Sequence, residues 1–205
     1  MHAARRRTVP RKLPRQERAQ QTVEHILTAT AQVLVRDGFD RASTNRIAAA
    51  AGVSVGSLYQ YFPSKEALVA VLAERHFEEM TEIVLGAMAR TAQWPLAAAV
   101  RETVATMLQA HAVDPKLHRV LIEQVPRVGR LERIHSFERK VCEAVRDFLA
   151  AHEAELRPQN LDLAAFLVVT TIEAATHAVI LHHPERLGEE TLLDELTHLV
   201  VRYLT

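Results

Sequence analysis

From residue 52 to residue 56 the chain reads Gly52-Val53-Ser54-Val55-Gly56. This fits G-x-S-x-G, the nucleophile elbow in which a strained turn presents a serine hydroxyl for acyl transfer. Farther on, Thr170, Glu173 and His177 fall at i, i+3 and i+7 within an otherwise apolar stretch. A carboxylate in such a place requires a partner, and His177, an arginine of a second subunit or a polar group on a ligand would each serve. Eleven histidines raise the question of a metal. The sequence has neither an HExxH pair nor a Cys/His cluster at zinc spacing, so no metal and no cofactor is expected. Cys142, the single cysteine, reads as a small core residue.

The elements around Ser54 decide its chemistry. A 205-residue chain with 48% apolar residues, only six glycines and eight prolines, and long Ala, Leu and Glu-rich stretches reads as an all-α globular protein. Val23, Ile26, Leu27, Thr30, Val33 and Leu34 recur at three- and four-residue steps, predicting a helix over 16–36 that stops at Gly38. Ser43 or Thr44 then caps a two-turn helix, NRIAAAA, which Gly52 ends. An elbow needs a β-strand running into its turn, and this segment is helical in propensity. Ser54 therefore reads as the N-cap of a third helix, Val55 to Phe62, with Leu58 and Phe62 inward. Pro63 stops that helix and Ser64 caps a fourth beginning Lys65-Glu66. Two short helices joined at a glycine form a helix-turn-helix.

Charge points either to a polyanion such as nucleic acid at this end of the chain or to a solvated basic tail that holds most of the excess. Residues 1–65 hold 11 Lys and Arg against 4 Asp and Glu, and residues 66–205 hold 14 against 21, so zero net charge conceals halves of +7 and −7. Residues 1–15 read as a flexible basic arm, 16–64 as the helix-turn-helix domain and 65–205 as a second, helical domain. The start has no apolar core after its charges and no stretch reaches about 18 uninterrupted apolar residues, so a soluble, cytoplasmic protein without a membrane association is expected. On the third helix Gly56, Ser57 and Gln60 lie opposite Leu58 and Phe62, giving a small, neutral, polar face. Gly56 and Ser57 weaken an isolated helix yet let a backbone come close to a DNA groove.

The run from Ile26 to Leu68, with Gly38-Phe39, Thr44, Ile47-Ala48, Ala51-Gly52-Val53-Ser54, Leu58-Tyr59, Phe62 and Lys65-Glu66, resembles the DNA-binding domain of TetR-type transcriptional regulators. The resemblance implies that Thr44 contacts phosphate, that Ser54, Val55, Gly56 and Ser57 face the major groove, that Tyr59, Gln60 and Tyr61 flank it, and that Lys65 meets the DNA backbone. Its implied partner is a double-stranded, pseudo-palindromic operator, bound by a regulator that is not an enzyme and acts as a repressor.

Beyond the fourth helix, which is read over 65–90, breaks at Pro95, Asp114-Pro115, Pro126 with Gly129, Arg157-Pro158 and Pro184 with Gly188 divide the chain into helices over 95–113, 115–125, 130–155, 160–182 and 189–204. About nine helices result. Helices 160–182 and 189–204 are apolar over wide arcs, and the resemblance implies a homodimer through them. Trp94, Met107, His111, Phe137, Thr170, Glu173 and His177 are the candidate lining for a mainly apolar small-molecule effector. The rival reading is a DNA-binding regulator with no such effector, controlled by concentration or a protein partner.

Overall fold

The computed structural model describes residues 17–128 and 131–205, with 125–128 and 131–135 described by their backbone alone. Among these residues the chain is all-α, without a strand. In order, the helices are α1 Glu17–Arg41, α2 Thr44–Ala50, α3 Val55–Tyr61, α4 Lys65–Thr91, α5 Leu96–Val113, α6 Pro115–Val128, α7 Leu131–Ala151, α8 Leu161–His182 and α9 Glu190–Leu204. Single 3-10 turns lie at Glu153–Glu155 and Pro184–Arg186. The basic arm, residues 1–15, lies outside the described residues.

Side-chain caps set the helix starts. Ser43, Ser54 and Ser64 each accept a hydrogen bond from the amide three residues on, at 3.3, 3.0 and 3.2 Å, which satisfies a donor with no partner inside the helix. Of two expected stops, the one at Gly38 is a kink that interrupts the helix and the one at Pro126 is passed. At Gly38, φ 74 and ψ 166 bend α1, and the helical path resumes to Arg41 as Ala42 N–H donates to the Gly38 carbonyl at 3.1 Å. A glycine without a Cβ tolerates that conformation. At Pro126, α6 continues to Val128. The helix expected to reach 155 ends at Ala151, and a 3-10 turn follows.

Packing divides the chain into two compact units, one built from the chain up to His76 with Lys116–Arg133, the other from Phe77–Pro115 with Ile134–Thr205. The first unit has Ile26, Leu34, Ile47, Leu58, Phe62 and Leu68 at its fully buried centre. Arg75 of α4 grips Glu24 of α1 with both guanidinium nitrogens, at 2.5 and 2.6 Å, and this pair holds the Glu24 carboxyl below its usual range. One residue on, His76 Nε2 lies 2.6 Å from Nδ1 of the buried His118 in α6. The first unit thus ties α1, α4 and α6 together through adjacent side chains.

The second unit encloses a core of Leu96, Val100, Val104 and Leu108 from α5, Leu149 from α7, Ala164, Ala165, Val168 and Ile180 from α8, and Leu193, Leu196, Val200 and Leu204 from α9. Arg101 of α5 bonds Glu190 and Asp194 of α9 at its rim. By length and mean hydropathy, 1.8, α8 is long and apolar enough to cross a membrane. Its buried Ala164, Ala165, Val168, Val169, Thr176 and Ile180 place one side of it in the protein core.

Candidate nucleic-acid interface

The turn between α2 and α3 is built on Gly52, whose φ of 66 lies in the left-handed region that a side chain disfavours. Val53 N–H returns to the Ala48 carbonyl at 3.0 Å, and Ser54 then opens α3. Ser54 Oγ accepts from the Ser57 amide at 3.0 Å and lies 2.8 Å from the Ser57 hydroxyl. A nucleophile requires a base within hydrogen-bond reach, but these partners are the amide of its own helix and another hydroxyl. The geometry is that of a cap.

With Leu58 and Phe62 fully inward, α3 presents Gly56, Tyr59 and Gln60 to solvent, with Val55, Ser57 and Tyr61 half-exposed beside them. A Cβ added to Gly56 would meet only Ser54 Oγ, at 3.8 Å. Nothing within the chain therefore requires glycine there, and the flat spot it leaves faces outward. Neither α2 nor α3 has an acidic residue in its first turn, so no carboxylate of those turns opposes an approaching phosphate.

Three further relationships surround this face, all invisible to helical periodicity. Thr44 Oγ1 lies 3.0 Å from the Tyr59 hydroxyl, joining the first turn of α2 to the exposed side of α3. Lys65 donates from Nζ to the Phe39 carbonyl at 2.6 Å, and its ammonium sits 4.0 Å from the Phe39 ring centroid. A cation at the start of a helix is otherwise unfavourable, and here a carbonyl and an aromatic face offset that cost. Lys65, expected at the DNA backbone, is thus first a tie between α4 and the bend in α1. At that bend Arg36 holds Asp37 through Nε and Nη2, at 2.8 and 2.9 Å, and Arg46 Nη1 shares the same carboxylate at 3.3 Å. The Arg36 bond is the main reason the Asp37 carboxyl falls to about 2.

The candidate effector residues fall apart into two groups. Met107, His111 and Phe137 are buried, and Glu173 and His177 half-buried. His111 donates from Nδ1 to the Met107 carbonyl at 2.8 Å, and its ring centroid is 5.8 Å from that of His177. Met107 packs with Val84 and Met88, bordered by the partly buried Val141, Phe148 and Ile172. Trp94, by contrast, is 45% exposed in the turn after α4, its carbonyl 3.2 Å from His152 Nε2, and Thr170 is exposed on α8. Those two do not enter an interior. Burial, reinforced by the charge of Glu138, pushes the Glu173 carboxyl up to about 7. Burial likewise lowers His177 and raises Cys142, the latter helped by Glu173 and Glu138.

Comparison with known proteins agrees over both ends of the described chain. Residues 26–72 match the family described as bacterial regulatory proteins, tetR family, and residues 95–204 match the tetracyclin repressor-like C-terminal domain. A nucleoid occlusion factor, SlmA of Actinobacillus pleuropneumoniae, is 31% identical over 105 residues, 51% of this chain and 50% of that one. The HTH-type transcriptional regulator AcrR of Shigella flexneri is 26% identical over 129 residues, 62% of this chain and 60% of its own. The chain thus spans about half the length of the first of these curated relatives. A crystal structure of a TetR family transcription regulator from Marinobacter aquaeolei, 18% identical, superposes with a TM-score of 0.71 over 92% of this chain and 97% of that one, a likeness of fold.

Proposed function

Because the chain belongs to the TetR family of bacterial regulatory proteins, we propose that it is a transcriptional repressor that binds a pseudo-palindromic operator as a homodimer and leaves it on binding a small molecule. The observation that carries the DNA-binding part is the outward face of α3. It is small and neutral at Gly56, Ser57 and Gln60, capped by Ser54, and bordered by the Thr44–Tyr59 pair. Such a face lets the helix enter a major groove while hydroxyls beside it bond phosphates. Tyr59 and Tyr61 flank the groove, and Lys65, already turned toward Phe39, keeps donors for a phosphate.

Dimerisation is supported by apolar surface that the second unit leaves uncovered. Leu163, Phe166 and Leu167 on α8 and Leu199 and Tyr203 on α9 are each more than one-third exposed, on two helices whose other sides form the core. A second copy would cover that surface and pair two recognition helices across a two-fold operator. The effector part of the reading rests on Met107, His111, Phe137, Glu173 and His177. α4 belongs to both units, which gives a bound molecule a continuous helix through which to act.

The test is selection of an operator from randomised duplex DNA, followed by a screen for small molecules that release it. Selection of a two-fold symmetric site and its release by a compound that binds the free protein support the proposal. Linkage requires operator DNA to weaken that compound's affinity by the factor by which the compound weakens operator binding. An operator bound tightly but released by nothing in a broad screen would favour the effector-free regulator.

A further inference from the structure

At the bend of α1, three arginines gather on one carboxylate and the carbonyls beside it. Arg36 grips Asp37 with Nε and Nη2, at 2.8 and 2.9 Å, one bond to each oxygen. Arg46, from the first turn of α2, adds a single bond from Nη1 to Asp37 Oδ2 at 3.3 Å and another to the Arg41 carbonyl at 3.3 Å. Arg41 in turn donates from Nε to the Asp37 carbonyl at 2.9 Å. A bidentate fork is the stronger way to hold a carboxylate, so Arg36 is the anchor and Arg46 the member that can leave. Its departure still leaves Asp37 paired. The Arg46 side chain is 55% exposed against 16% for Asp37, so the guanidinium is open to a partner from outside while the carboxylate is largely shut in. Arg46 rises from the same turn as Thr44, whose hydroxyl lies 3.0 Å from that of Tyr59 on the exposed side of α3.

We propose that Asp37 is an internal competitor for DNA phosphate, and that the Arg46 guanidinium passes from it to a backbone phosphate only when α3 is seated in its operator. The inference rests on the operator-binding reading above and adds to it a residue that sets specificity without touching a base. Non-specific duplex is held through phosphates neutralised one by one by cations of the protein. A phosphate that is loosely and variably placed must displace a carboxylate already fixed at 3.3 Å. It offers Arg46 no better anion, so the guanidinium stays on Asp37. Base contacts by α3 hold the domain in one register, and a phosphate beside α2 is then fixed in place against it. The exchange is anion for anion at Arg46, and Asp37 keeps both bonds to Arg36. Asp37 thereby withholds one cation from the non-specific complex and yields it to the specific one. Asp40, three residues on, is an exposed acid of the same charge, which makes it the control.

The experiment is an anisotropy titration of the full-length protein against two labelled duplexes of equal length, the selected operator and a scrambled sequence, repeated over a range of salt. The slope of log K against log salt counts neutralised phosphates, at about 0.9 for each. Asp37→Asn is expected to steepen the slope on the scrambled duplex by about 0.9 and to tighten that binding about threefold to tenfold near physiological salt. The operator slope should not change, so the specificity ratio falls by the same factor. Arg46→Gln should do the converse, lowering the operator slope by about 0.9 and leaving the scrambled one as it was. Arg46→Lys, which keeps the charge, should restore the operator slope. Asp37→Asn combined with Arg46→Gln should return the scrambled slope to its wild-type value, because the cation that Asp37 withholds is gone. Asp40→Asn changes the net charge equally and should move both duplexes alike. If Asp37→Asn also tightens both duplexes alike, its effect is net charge and the inference falls. It falls too if Arg46→Gln leaves the operator slope unchanged, or if the double variant keeps the full steepening, which would assign the released cation to Arg36. Should Asp37→Asn fail to fold, the two Arg46 variants decide through the operator slope. A wild type that selects no operator sinks the repressor reading and this inference together, whereas a selected operator with slopes that none of these variants moves sinks the inference alone.

Discussion

The Tyr59 hydroxyl lies 3.0 Å from Thr44 Oγ1, so the two short helices of the DNA-binding unit are joined by side chains fifteen positions apart in sequence. Both atoms are exposed, and water competes for them in the free protein. Tyr59→Phe should therefore cost only about 0.5–1 kcal/mol in stability. Its larger effect is expected on operator affinity, because a pre-set Thr44 hydroxyl is released to rotate. A double-mutant cycle with Thr44→Val, read by anisotropy on labelled operator, should show that the two substitutions are not additive. Strict additivity would remove the coupling.

Gly56 separates stability from function. A Cβ there meets nothing closer than 3.8 Å, and alanine is the better helix former, so Gly56→Ala should raise stability by about 0.5–1 kcal/mol. The same methyl group would occupy the outward face proposed to enter the groove. The expected outcome is a higher melting temperature together with weaker operator binding. A variant that is both more stable and binds as well would show that α3 does not approach DNA at this point.

Gly52 behaves in the opposite way for a different reason. A Cβ at this position would also meet no neighbour within 4 Å, yet φ is 66. Any loss in Gly52→Ala is thus conformational, and about 1–2 kcal/mol is expected from chemical denaturation. The comparison with Gly56→Ala isolates dihedral cost from space, since neither substitution creates a clash.

Glu173 gives the stability a pH signature. Its carboxyl stands at about 7 in the folded chain against 4.5 for the free group. Between these values the folded state binds the proton and the unfolded state does not, so the contribution of Glu173 to stability falls as pH rises from about 4.5 to 7. His177, lowered by burial, acts the other way, with stability falling as pH drops below its unfolded value toward its folded one. Denaturant titrations of wild type and Glu173→Gln across pH 4 to 8 isolate the acid. The variant should gain on the wild type toward pH 8 by roughly 1–3 kcal/mol, and parallel curves would contradict the burial of that carboxylate.

Local chemistry made much of the fold legible. Ser43, Ser54 and Ser64 carry their caps in the side chain itself, and Gly52 carries its turn in the absence of one, so the starts of α2, α3 and α4 could be read within a residue or two. Gly38 does interrupt the helix where expected, with a short helical turn after it, whereas Pro126 does not stop its helix. One bends a helix that resumes, and the other stands within three residues of an end. The Thr44–Tyr59 and Lys65–Phe39 ties depend on how helices cross, and their separations of fifteen and twenty-six residues leave no periodic trace. Trp94 and Thr170 lie exposed, since an apolar setting in sequence does not say which arc of a helix meets the interior. Glu173 was legible as a residue in need of a partner.

The two-sidedness of α9 sorts its substitutions into separate phenotypes. Leu193, Leu196, Val200 and Leu204 are buried, whereas Leu199 and Tyr203, one position from Val200 and Leu204, stand open. An inward change to a polar residue should lower the amount of soluble protein in the cell. An outward one should leave abundance intact and, with a second copy covering that side as proposed, flatten the steep concentration dependence of operator occupancy. Within one fifteen-residue helix, neighbouring codons thus answer to different selective pressures, and an allelic series there can tell loss of protein from loss of partnership.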